Sequence, residues 1–469
     1  MKRLGKMMML GAASCFLHLN VYSQIQMPAA FTDGLVLQQN SNVPVWGWGN
    51  PAEKMSVVAS WATADTVKTV VDNQGKWKVD LPTAKAGGPY TIEVIGAYET
   101  KKINDVMLGE VWLCSGQSNM EWSANMWIMN CEEEIKNADC NNVRILHLPK
   151  QGADTPQADA RAKWEVSSPE TMRRTSATAY FFARYLTEKL NVPVGIIVSA
   201  WGGTPAEVWT PAEVIAADKV LAANKLKEYE WWPIKSGVLF NQMINPVIPY
   251  KLAGCIWYQG ESNHENASSY SHLMTKMVEA WRERFNQDFP FYYVQIAPHT
   301  YNSKQNTPAL LREQQELMLK SVPGSGMINI SDLVENVKDI HPRNKRAIGE
   351  RLAFMVMDKE YGQFTQPYES PYLKSAVRKG RNVVIDFGGN FEKLVSVSKQ
   401  IVGVKVSDAE GNLTDVKAKI KGKQLVVPVG KVKAPLQVMY CFDDATIGSL
   451  RTEGGLPVLP FRTDKIVEK

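Results

Sequence analysis

The stretch GEVWLCSGQSNMEW, residues 109–122, combines an apolar run with a polar cluster that follows it directly. The run from Val111 to Leu113 is typical of a buried strand, and Gly116 allows the backbone to turn sharply behind it. In open α/β sheets, the loops at the carboxyl ends of strands are where ligands bind and chemistry occurs. The stretch therefore predicts a sheet strand followed by a functional loop, with Ser118 as its first candidate residue.

The whole chain has the composition of a folded globular protein. It has 469 residues, of which 45% are apolar and 22% are charged, and it contains no evident repeat or low-complexity tract. At roughly 150 residues per domain, this length suggests about three domains.

The first 23 residues predict a secretory signal peptide. Lys2, Arg3 and Lys6 precede an apolar run over residues 7–19, and Ser23 offers a small residue for cleavage. The run is too short for a membrane anchor, and no later segment is long and apolar enough to span a bilayer. We therefore expect an exported protein, periplasmic or secreted; acylation of Cys15 is the less favoured alternative because the usual preceding leucine is absent.

Charge and cysteine content narrow the functional classes. Removing the signal leaves 50 basic and 48 acidic side chains, a net charge of about +2, which provides no electrostatic basis for nucleic-acid binding. Cys131 and Cys140 are close enough in sequence for a disulfide in an oxidising compartment. Cys114 and Cys255 lie in apolar runs typical of buried strands. No cysteine has the spacing of a metal site, and neither a metal nor an organic cofactor is implied.

The pattern of apolar residues divides the mature chain into three regions. Short alternating runs with turn residues between them predict a β-sandwich-like domain over residues 24–104. Residues 105–361 alternate apolar strands with amphipathic helices, which predicts a three-layer α/β/α domain around a parallel sheet. Short alternating runs return over residues 366–469 and predict a β-rich module, or strands that pack on the first one.

Four strands of the central region end in polar or glycine-rich segments. Because the carboxyl ends of parallel strands converge on one crevice, we expect these loops to share a site. The segments are SGQSNMEW (115–122), SAWGGTPAEVW (199–209), WYQGESNHENA (257–267) and DLVENVKDIHPRNK (332–345).

Serine hydrolysis needs a hydroxyl, a histidine to take its proton, a group that orients the histidine, and donors for the oxyanion. Ser118 offers the hydroxyl, although serine is also a common helix N-cap. His341 is the leading base because it lies in a loop beside a carboxylate, with His299 in reserve. Asp339 and Glu261 are equal candidates for the orienting acid.

Candidate oxyanion donors come from three of the loops. They are backbone N–H groups of the Ser118 loop, which includes Gln117, glycine amides at Gly202 and Gly203, and the side-chain amides of Gln259 and Asn263. The alternative for the glycines is a tight turn, and for the amides a role in tying loops together.

Six ordered motifs resemble the sialate O-acetylesterase family, within the broader GDSL/SGNH-type hydrolases. They are FTDGLVLQQ with VPVWGWGNPAE, GEVWLCSGQSNMEW, SAWGGTPAEVW, WYQGESN, LREQQ and DIHPRNKRAIGERLA, between residues 31 and 353. The resemblance implies Ser118 as nucleophile, His341 as base, and an oxyanion hole formed by the nucleophile, Gly202-Gly203 and QGESN loops. The broader hydrolases carry their acid three residues before the histidine, where this chain has Lys338. Asp339, Glu261, or a dyad helped by a backbone carbonyl therefore stay open.

The resemblance implies an acetylated sugar as substrate, with O-acetylated sialic acid ahead of acetylated xylan or another glycan. Arg312 and Arg343 are candidate ligands for a sialate carboxylate, because a guanidinium matches that group in a bidentate way. Tryptophans near the loops are candidates for stacking on sugar rings, although core packing is the alternative for each. A carbohydrate-binding protein without catalysis is the alternative from another functional class.

Overall fold

The computed structural model describes residues 24–62, 64–228, 231–303, 305–430, 437–463 and 465–468. The signal peptide predicted for residues 1–23 lies outside the described residues and stays a prediction.

The N-terminal region contains six short strands. They are β1 (Val36–Gln38), β2 (Asn42–Trp48), β3 (Lys54–Ala59), β4 (Thr66–Val70), β5 (Lys76–Pro82) and β6 (Gly87–Ile95).

The central region alternates strands with helices. Its strands are β7 (Thr100–Gly116), β8 (Cys140–His147), β9 (Trp164–Ser167), β10 (Val194–Ala200), β11 (Gly254–Tyr258), β12 (Phe291–Val294) and β13 (Ser325–Ile328). Its α-helices are α1 (Ser118–Glu121), α2 (Cys131–Lys136), α3 (Pro169–Arg174), α4 (Ala177–Leu190), α5 (Ala212–Ala217), α6 (Lys219–Ala222), α7 (Tyr270–Phe285), α8 (Thr307–Ser321) and α9 (Lys345–Lys359).

The C-terminal region consists of short strands. They are β14 (Tyr372–Lys379), β15 (Asn382–Gly388), β16 (Leu394–Ser396), β17 (Val404–Ser407), β18 (Leu413–Asp415), β19 (Lys419–Lys421), β20 (Gln424–Pro428), β21 (Gln437–Tyr440), β22 (Leu450–Thr452), β23 (Phe461–Arg462) and β24 (Val467–Glu468).

The central sheet has the strand order β13-β12-β11-β7-β10-β8-β9. Its strands are parallel except β9, which runs antiparallel to β8 at the edge. Helical crossovers between parallel strands place helices on the faces of a sheet. The order therefore agrees with the α/β architecture predicted for this region.

Helices cover both faces of the central sheet. Along β7, Val111 and Leu113 belong to one apolar core, whereas Trp112 and Cys114 belong to another. The first core includes side chains of α7 and α8, and the second includes side chains of α4 and α9. Successive side chains of a strand point to opposite faces, so the two cores lie on opposite sides of one sheet. The predicted three-layer α/β/α fold is confirmed.

The strand β7 joins the N-terminal region to the central sheet without interruption. Its first half pairs with β6 and β1, and its second half pairs with β10 and β11. The N-terminal β-rich region is present as expected, with β2 and β5 forming a separate two-stranded sheet. The boundary proposed at residues 104 and 105 falls inside this one strand, because β7 continues past the polar pair Asn104-Asp105 and changes its pairing partners only around Gly109.

The C-terminal strands form their own sheets and their own apolar core. The predicted C-terminal β-module is therefore present. Within the part of the chain that the structure describes, no helix has both the length and the apolar character needed to cross a membrane.

Candidate functional site

The carboxyl ends of three adjacent strands bring the predicted loops together. The loop with Ser118 follows β7, the loop with Gly202 follows β10, and the loop with Glu261 follows β11. Gly116 has φ 141°, and a Cβ atom there would lie 2.2 Å from the carbonyl oxygen of Tyr258. Only glycine therefore lets β7 and the β11 loop approach closely at this point.

Ser118 and His341 are in direct contact, although 223 residues separate them in sequence. The Oγ atom of Ser118 lies 2.9 Å from Nε2 of His341. On the other side of the ring, Nδ1 of His341 lies 3.6 Å from Oδ1 of Asp339, which also accepts the backbone N–H of His341 at 3.0 Å. The order hydroxyl, imidazole and carboxylate is the arrangement that serine hydrolases use for nucleophilic attack.

The surroundings of His341 favour its neutral form. Burial lowers the pKa of His341 to about 4, the ammonium of Lys345 acts in the same direction, and Asp339 opposes both. The indole of Trp122 stacks on the imidazole, with ring centroids 4.0 Å apart and an interplanar angle of 22°. A neutral imidazole that is fixed in orientation is able to accept a proton from Ser118.

Glu261, the other candidate acid, makes a different contact. Its Oε1 accepts a hydrogen bond from Nδ2 of Asn119 at 2.6 Å, and its carboxyl group is buried. Asn119 in turn accepts a hydrogen bond from Nζ of Lys345 at 2.6 Å. The structure therefore places Glu261 in a buried network beneath the site, and it is Asp339 that lies beside the imidazole.

Sequence reasoning missed Asn119 and Lys345, and it considered Trp122 for stacking on a sugar ring, whereas the structure stacks Trp122 on His341. Asn119 and Trp122 follow Ser118 in the same motif, which was the available signal. Lys345 had a weaker signal, since it occupies the first position of α9, where the helix dipole disfavours a cation.

The glycine loop after β10 packs against Ser118. A Cβ atom at Gly202 would lie 3.2 Å from Cβ of Ser118, so the two backbones are close. The backbone N–H of Gly202 donates to Oε2 of Glu121 at 2.6 Å and is already engaged. Among the described residues, the backbone N–H groups of Gly203 and Ser118 have no hydrogen-bond acceptor. The backbone N–H groups of Gly203 and Ser118 are therefore available to a ligand.

Gln117 also lines the cleft, next to Ser118. Its Oε1 accepts backbone N–H groups of Gly260 at 3.4 Å and Ser262 at 3.2 Å. The side-chain Nε2 of Gln117 has no acceptor among the described residues, so Gln117 ties the β7 and β11 loops together and retains a donor.

Gln259 and Asn263 are engaged in a buried network. Nε2 of Gln259 donates to Oδ1 of Asn263 at 2.7 Å, and Nδ2 of Asn263 donates to Glu207 at 2.8 Å. Tyr270 donates to Oε1 of Gln259 at 2.8 Å. These contacts correspond to the loop-tying alternative, because the amides that a ligand would need are already satisfied.

Arg312 lies on α8 and points away from the cleft. Its side chain is 2% exposed, and its guanidinium donates to the backbone carbonyls of Cys441 and Asp443 in the C-terminal module. It is not among the residues that line the cleft. This position corrects the expectation that Arg312 contacts substrate, because the guanidinium is enclosed between α8 and the module.

The cleft around Ser118 and His341 has a volume of about 500 Å³. Trp232 and Met126 contribute apolar walls, and the charged side chains are those of two lysines and three glutamates: Lys225, Lys227, Glu121, Glu261 and Glu265. A volume in this range suits a small ligand.

Three of the other tryptophans near the loops serve different roles. Trp209 and Trp257 are fully buried in the core below one face of the sheet, and Trp201 packs against the same core. Trp231, next to Trp232, is 67% exposed.

The remaining histidines and the cysteines lie outside the Ser118–His341 contact. His272 pairs with Asp218 at 2.6 Å, and the Nδ1 atom of His299 is buried without a hydrogen-bond partner. Cys131 and Cys140 both have free thiols, so the disulfide considered from their spacing is not formed in this structure. Burial raises the pKa of the Cys114 thiol, which suits a packed side chain better than a nucleophile.

The chain is similar to known proteins in both sequence and structure. A family model described as carbohydrate esterase, sialic acid-specific acetylesterase, matches residues 108–358. The sialate O-acetylesterase of Homo sapiens is 30% identical over 373 residues, which cover 72% of this chain and 71% of that protein. The sialate O-acetylesterase of Rattus norvegicus is 28% identical over 422 residues, covering 76% and 78%. The crystal structure of a carbohydrate acetylesterase from Xanthomonas citri superposes with a TM-score of 0.85 at 32% identity, covering 94% of this chain and 100% of that one.

Proposed function

The chain belongs to the carbohydrate esterase family of sialic acid-specific acetylesterases, and we propose that it removes acetyl groups from O-acetylated sialic acid by serine catalysis. The observation that carries the proposed mechanism is the 2.9 Å contact between Ser118 Oγ and His341 Nε2 in an open cleft. Family membership supports carbohydrate ester hydrolysis, and the cleft supplies the groups that such a reaction requires.

The reaction proceeds through an acetyl-enzyme. The Oγ atom of Ser118 attacks the acetyl carbonyl carbon while Nε2 of His341 takes the hydroxyl proton. The tetrahedral oxyanion collapses, the bond to the sugar oxygen breaks, and the imidazolium returns its proton to that oxygen. Water then attacks the acetyl-enzyme with His341 again as base, releasing acetate and restoring the serine.

Asp339 is the orienting acid in this proposal. Its Oδ1 lies on the Nδ1 side of His341, and it stabilises the imidazolium that forms during each step. The distance of 3.6 Å between Oδ1 of Asp339 and Nδ1 of His341 is longer than a hydrogen bond. The effect of Asp339 on the imidazole is therefore mainly electrostatic in the resting enzyme.

The oxyanion is held by backbone donors in this proposal. The N–H groups of Ser118 and Gly203 are unengaged among the described residues, and the Nε2 of Gln117 adds a third candidate. Each such donor contributes about 3 kcal/mol of transition-state stabilisation in comparable sites.

Two lysines in the cleft support an anionic sugar. Lys225 and Lys227 line the same cavity as Ser118 and supply the charge that a sialate carboxylate would require, in a cleft that Glu121, Glu261 and Glu265 line as well. Trp232 offers an aromatic face against which a sugar ring can pack.

A second candidate substrate is an acetylated neutral glycan such as xylan. The burial of Arg312 favours it, since this removes one of the two guanidinium groups suited to a carboxylate. Arg343, the second of them, does not line the cleft that contains Ser118: its side chain is 59% exposed, and its Nε lies 4.0 Å from Oδ2 of Asp339.

Acetate release tests both substrates. The purified mature protein and its Ser118→Ala variant would be assayed side by side with O-acetylated sialic acid and acetylated xylan. We expect release from sialate that is lost in the variant. Release from xylan alone would retain the mechanism and overturn the substrate, and a folded protein inactive on both would overturn the proposed function.

We also propose that the protein is exported, on the basis of the basic and apolar pattern over residues 1–23. Mass spectrometry of the protein from its native host should find an N-terminus directly after Ser23. An N-terminus that retains residues 1–23 would contradict this proposal.

A further inference from the structure

Lys345 is a lysine in a position that disfavours a positive charge. Its side chain is 1% exposed, and it occupies the first position of α9, where the helix dipole repels cations. Among the described residues, no carboxylate forms an ion pair with its Nζ. Burial of a charge without an ion pair is costly, so the contacts that this lysine does make must offset that cost.

The ammonium of Lys345 contacts a side chain that connects two loops of the site. Nζ donates to Oδ1 of Asn119 at 2.6 Å, and Nδ2 of Asn119 donates to the backbone carbonyl of Ile340 at 3.1 Å. Asn119 follows Ser118 in sequence, and Ile340 precedes His341. The Lys345–Asn119 contact therefore fixes the amide that holds the two loops at their observed separation.

Lys345 also lies near the aromatic ring that supports the imidazole. Its Nζ is 5.8 Å from the ring centroid of Trp122, and the Trp122 ring stacks on His341. Nζ lies 5.3 Å from the ring of Tyr258, on β11. Two aromatic faces thus partly compensate the buried cation.

We propose that Lys345 is a positioning residue of the proposed esterase mechanism: its ammonium holds Asn119 between the loops of Ser118 and His341, and it places a positive charge beside the Trp122 ring that stacks on His341. This inference rests on the proposed function. We expect the charge of Lys345 to disfavour protonation of His341 in mildly acidic solution. The Ser118–His341 contact alone does not provide this protection of the base.

The charged groups around His341 and Lys345 agree with a lowered pKa of His341. For His341, burial, Lys345 and His299 lower the pKa and Asp339 raises it. For Lys345, burial lowers the pKa to about 7, while Glu261, Asp339 and Glu335 oppose the shift. Below pH 7 the lysine is therefore charged, which is the range in which His341 would otherwise become protonated and lose its function as a base.

The test measures the pKa of His341 with and without the positive charge of Lys345. Histidine Cε1 resonances of the full mature chain would be followed by NMR from acid to neutral pH, with the His341→Gln variant for assignment. The pH profile of kcat/KM for acetate release would be recorded on the same samples. Lys345→Met removes the charge, Lys345→Arg retains it, and Lys320→Met, at an exposed lysine on α8, is the matched control.

We expect the His341 pKa and the acid limb of kcat/KM to rise together by about one unit in Lys345→Met, as expected when a nearby like charge is removed. Lys345→Arg and the control should keep the wild-type acid limb. A uniform loss of activity with an unmoved acid limb and an unmoved resonance would overturn the proposal and leave Lys345 a structural residue.

The wild-type titration decides first. A His341 that binds its proton at or above the ordinary histidine value of about 6.5 overturns the proposal before any variant is compared. If Lys345→Met does not fold, Lys345→Gln is examined by the same two criteria. Because the resonance requires no substrate, a shifted His341 in a protein that releases no acetate would reject the proposed function and retain the effect of Lys345.

Discussion

At the scale of single residues, the two carboxylates near the site differ in what they contact. Asp339 lies beside the imidazole, whereas Glu261 receives a hydrogen bond from Asn119 and is buried. The variant Asp339→Ala tests whether this carboxylate orients His341. The variant Glu261→Gln tests the contribution of the buried network that includes Asn119.

We expect Asp339→Ala to lower kcat/KM by about 10²-fold, since the imidazolium loses its nearest carboxylate. The thermal midpoint should change little, because the Asp339 side chain is 37% exposed. Glu335→Gln, in the same loop, is the control and should retain activity. Near-normal activity of Asp339→Ala beside a large loss in Glu261→Gln would assign the orienting role to Glu261.

Gly203 combines a left-handed backbone with a close contact to the cleft wall. Its φ is +74°, and a Cβ atom there would lie 2.4 Å from the ring of Trp232. Gly203→Ala should therefore displace Trp232, raise KM for the sugar ester, and destabilise the loop by about 1–2 kcal/mol.

Gly362→Ala is a matched control for that substitution. Gly362 has φ +63° and no atom within 4 Å of an added Cβ, so it carries the same backbone penalty without the clash. A normal KM in Gly203→Ala would show that Trp232 does not contribute to substrate binding.

The sequence predicted the two central residues of the site but not the contacts around them, because those contacts depend on packing between distant segments. Ser118 and His341 were identified because each lies in a loop after a sheet strand, and the structure places them in contact. Whether a loop amide such as Gln259 faces a ligand or a buried neighbour depends on packing between distant segments. Asn119 and Lys345 meet only because α9 packs against the β7 loop, which no local pattern encodes.

At the scale of secondary structure, the long periodic elements were predicted well. The run ATAYFFARYLTEKL corresponds to α4 (Ala177–Leu190), as the apolar spacing indicated. Its first two turns, Ala177–Ala183, are buried on all sides, and only its second half has an exposed face, with Glu188 and Lys189. The strand β7 was harder to interpret, since it passes from one sheet region into another around Gly109 and stays a single continuous strand. A local pattern of residues predicts that a helix or strand forms, but it does not predict which strands pair with each other.

The helix α8 provides a test of the contact between the central domain and the C-terminal module. Arg312 donates to two backbone carbonyls of that module and is buried. Arg312→Met should destabilise the protein by about 2–3 kcal/mol through loss of charge-assisted hydrogen bonds, with kcat/KM unchanged within a few-fold. Thermal melts and acetate release measure the two effects.

Arg462→Gln is the control for this contact. Arg462 pairs with Glu313 on the same helix at 2.9 Å, but its side chain is 35% exposed. Such partly exposed pairs contribute about 0–1 kcal/mol, so a smaller loss is expected. A rise in KM for sialate alone in Arg312→Met, with an unchanged melting temperature, would restore the role in substrate binding that the sequence suggested.

At the scale of the whole molecule, a histidine held neutral for catalysis couples the site to global stability. Burial lowers the pKa of His341 to about 4, below its ordinary value, and Lys345 adds to the shift. Between these values the unfolded chain binds a proton that the folded chain does not bind. Stability therefore decreases as pH falls through that window, and the sign follows from the unfolded state holding more protons.

His341→Gln should remove this dependence. We expect the variant to gain up to about 3 kcal/mol relative to wild type as pH falls from about 6.5 to about 4, since each pKa unit corresponds to about 1.4 kcal/mol. Calorimetric melts at the two pH values give the difference. Ser118→Ala is the control, because it should abolish acetate release and yet keep the imidazole and its pH dependence. Equal acid destabilisation of wild type and His341→Gln would mean that the imidazole is protonated in the folded protein over this range, which would contradict both its neutral state and the proposed influence of Lys345.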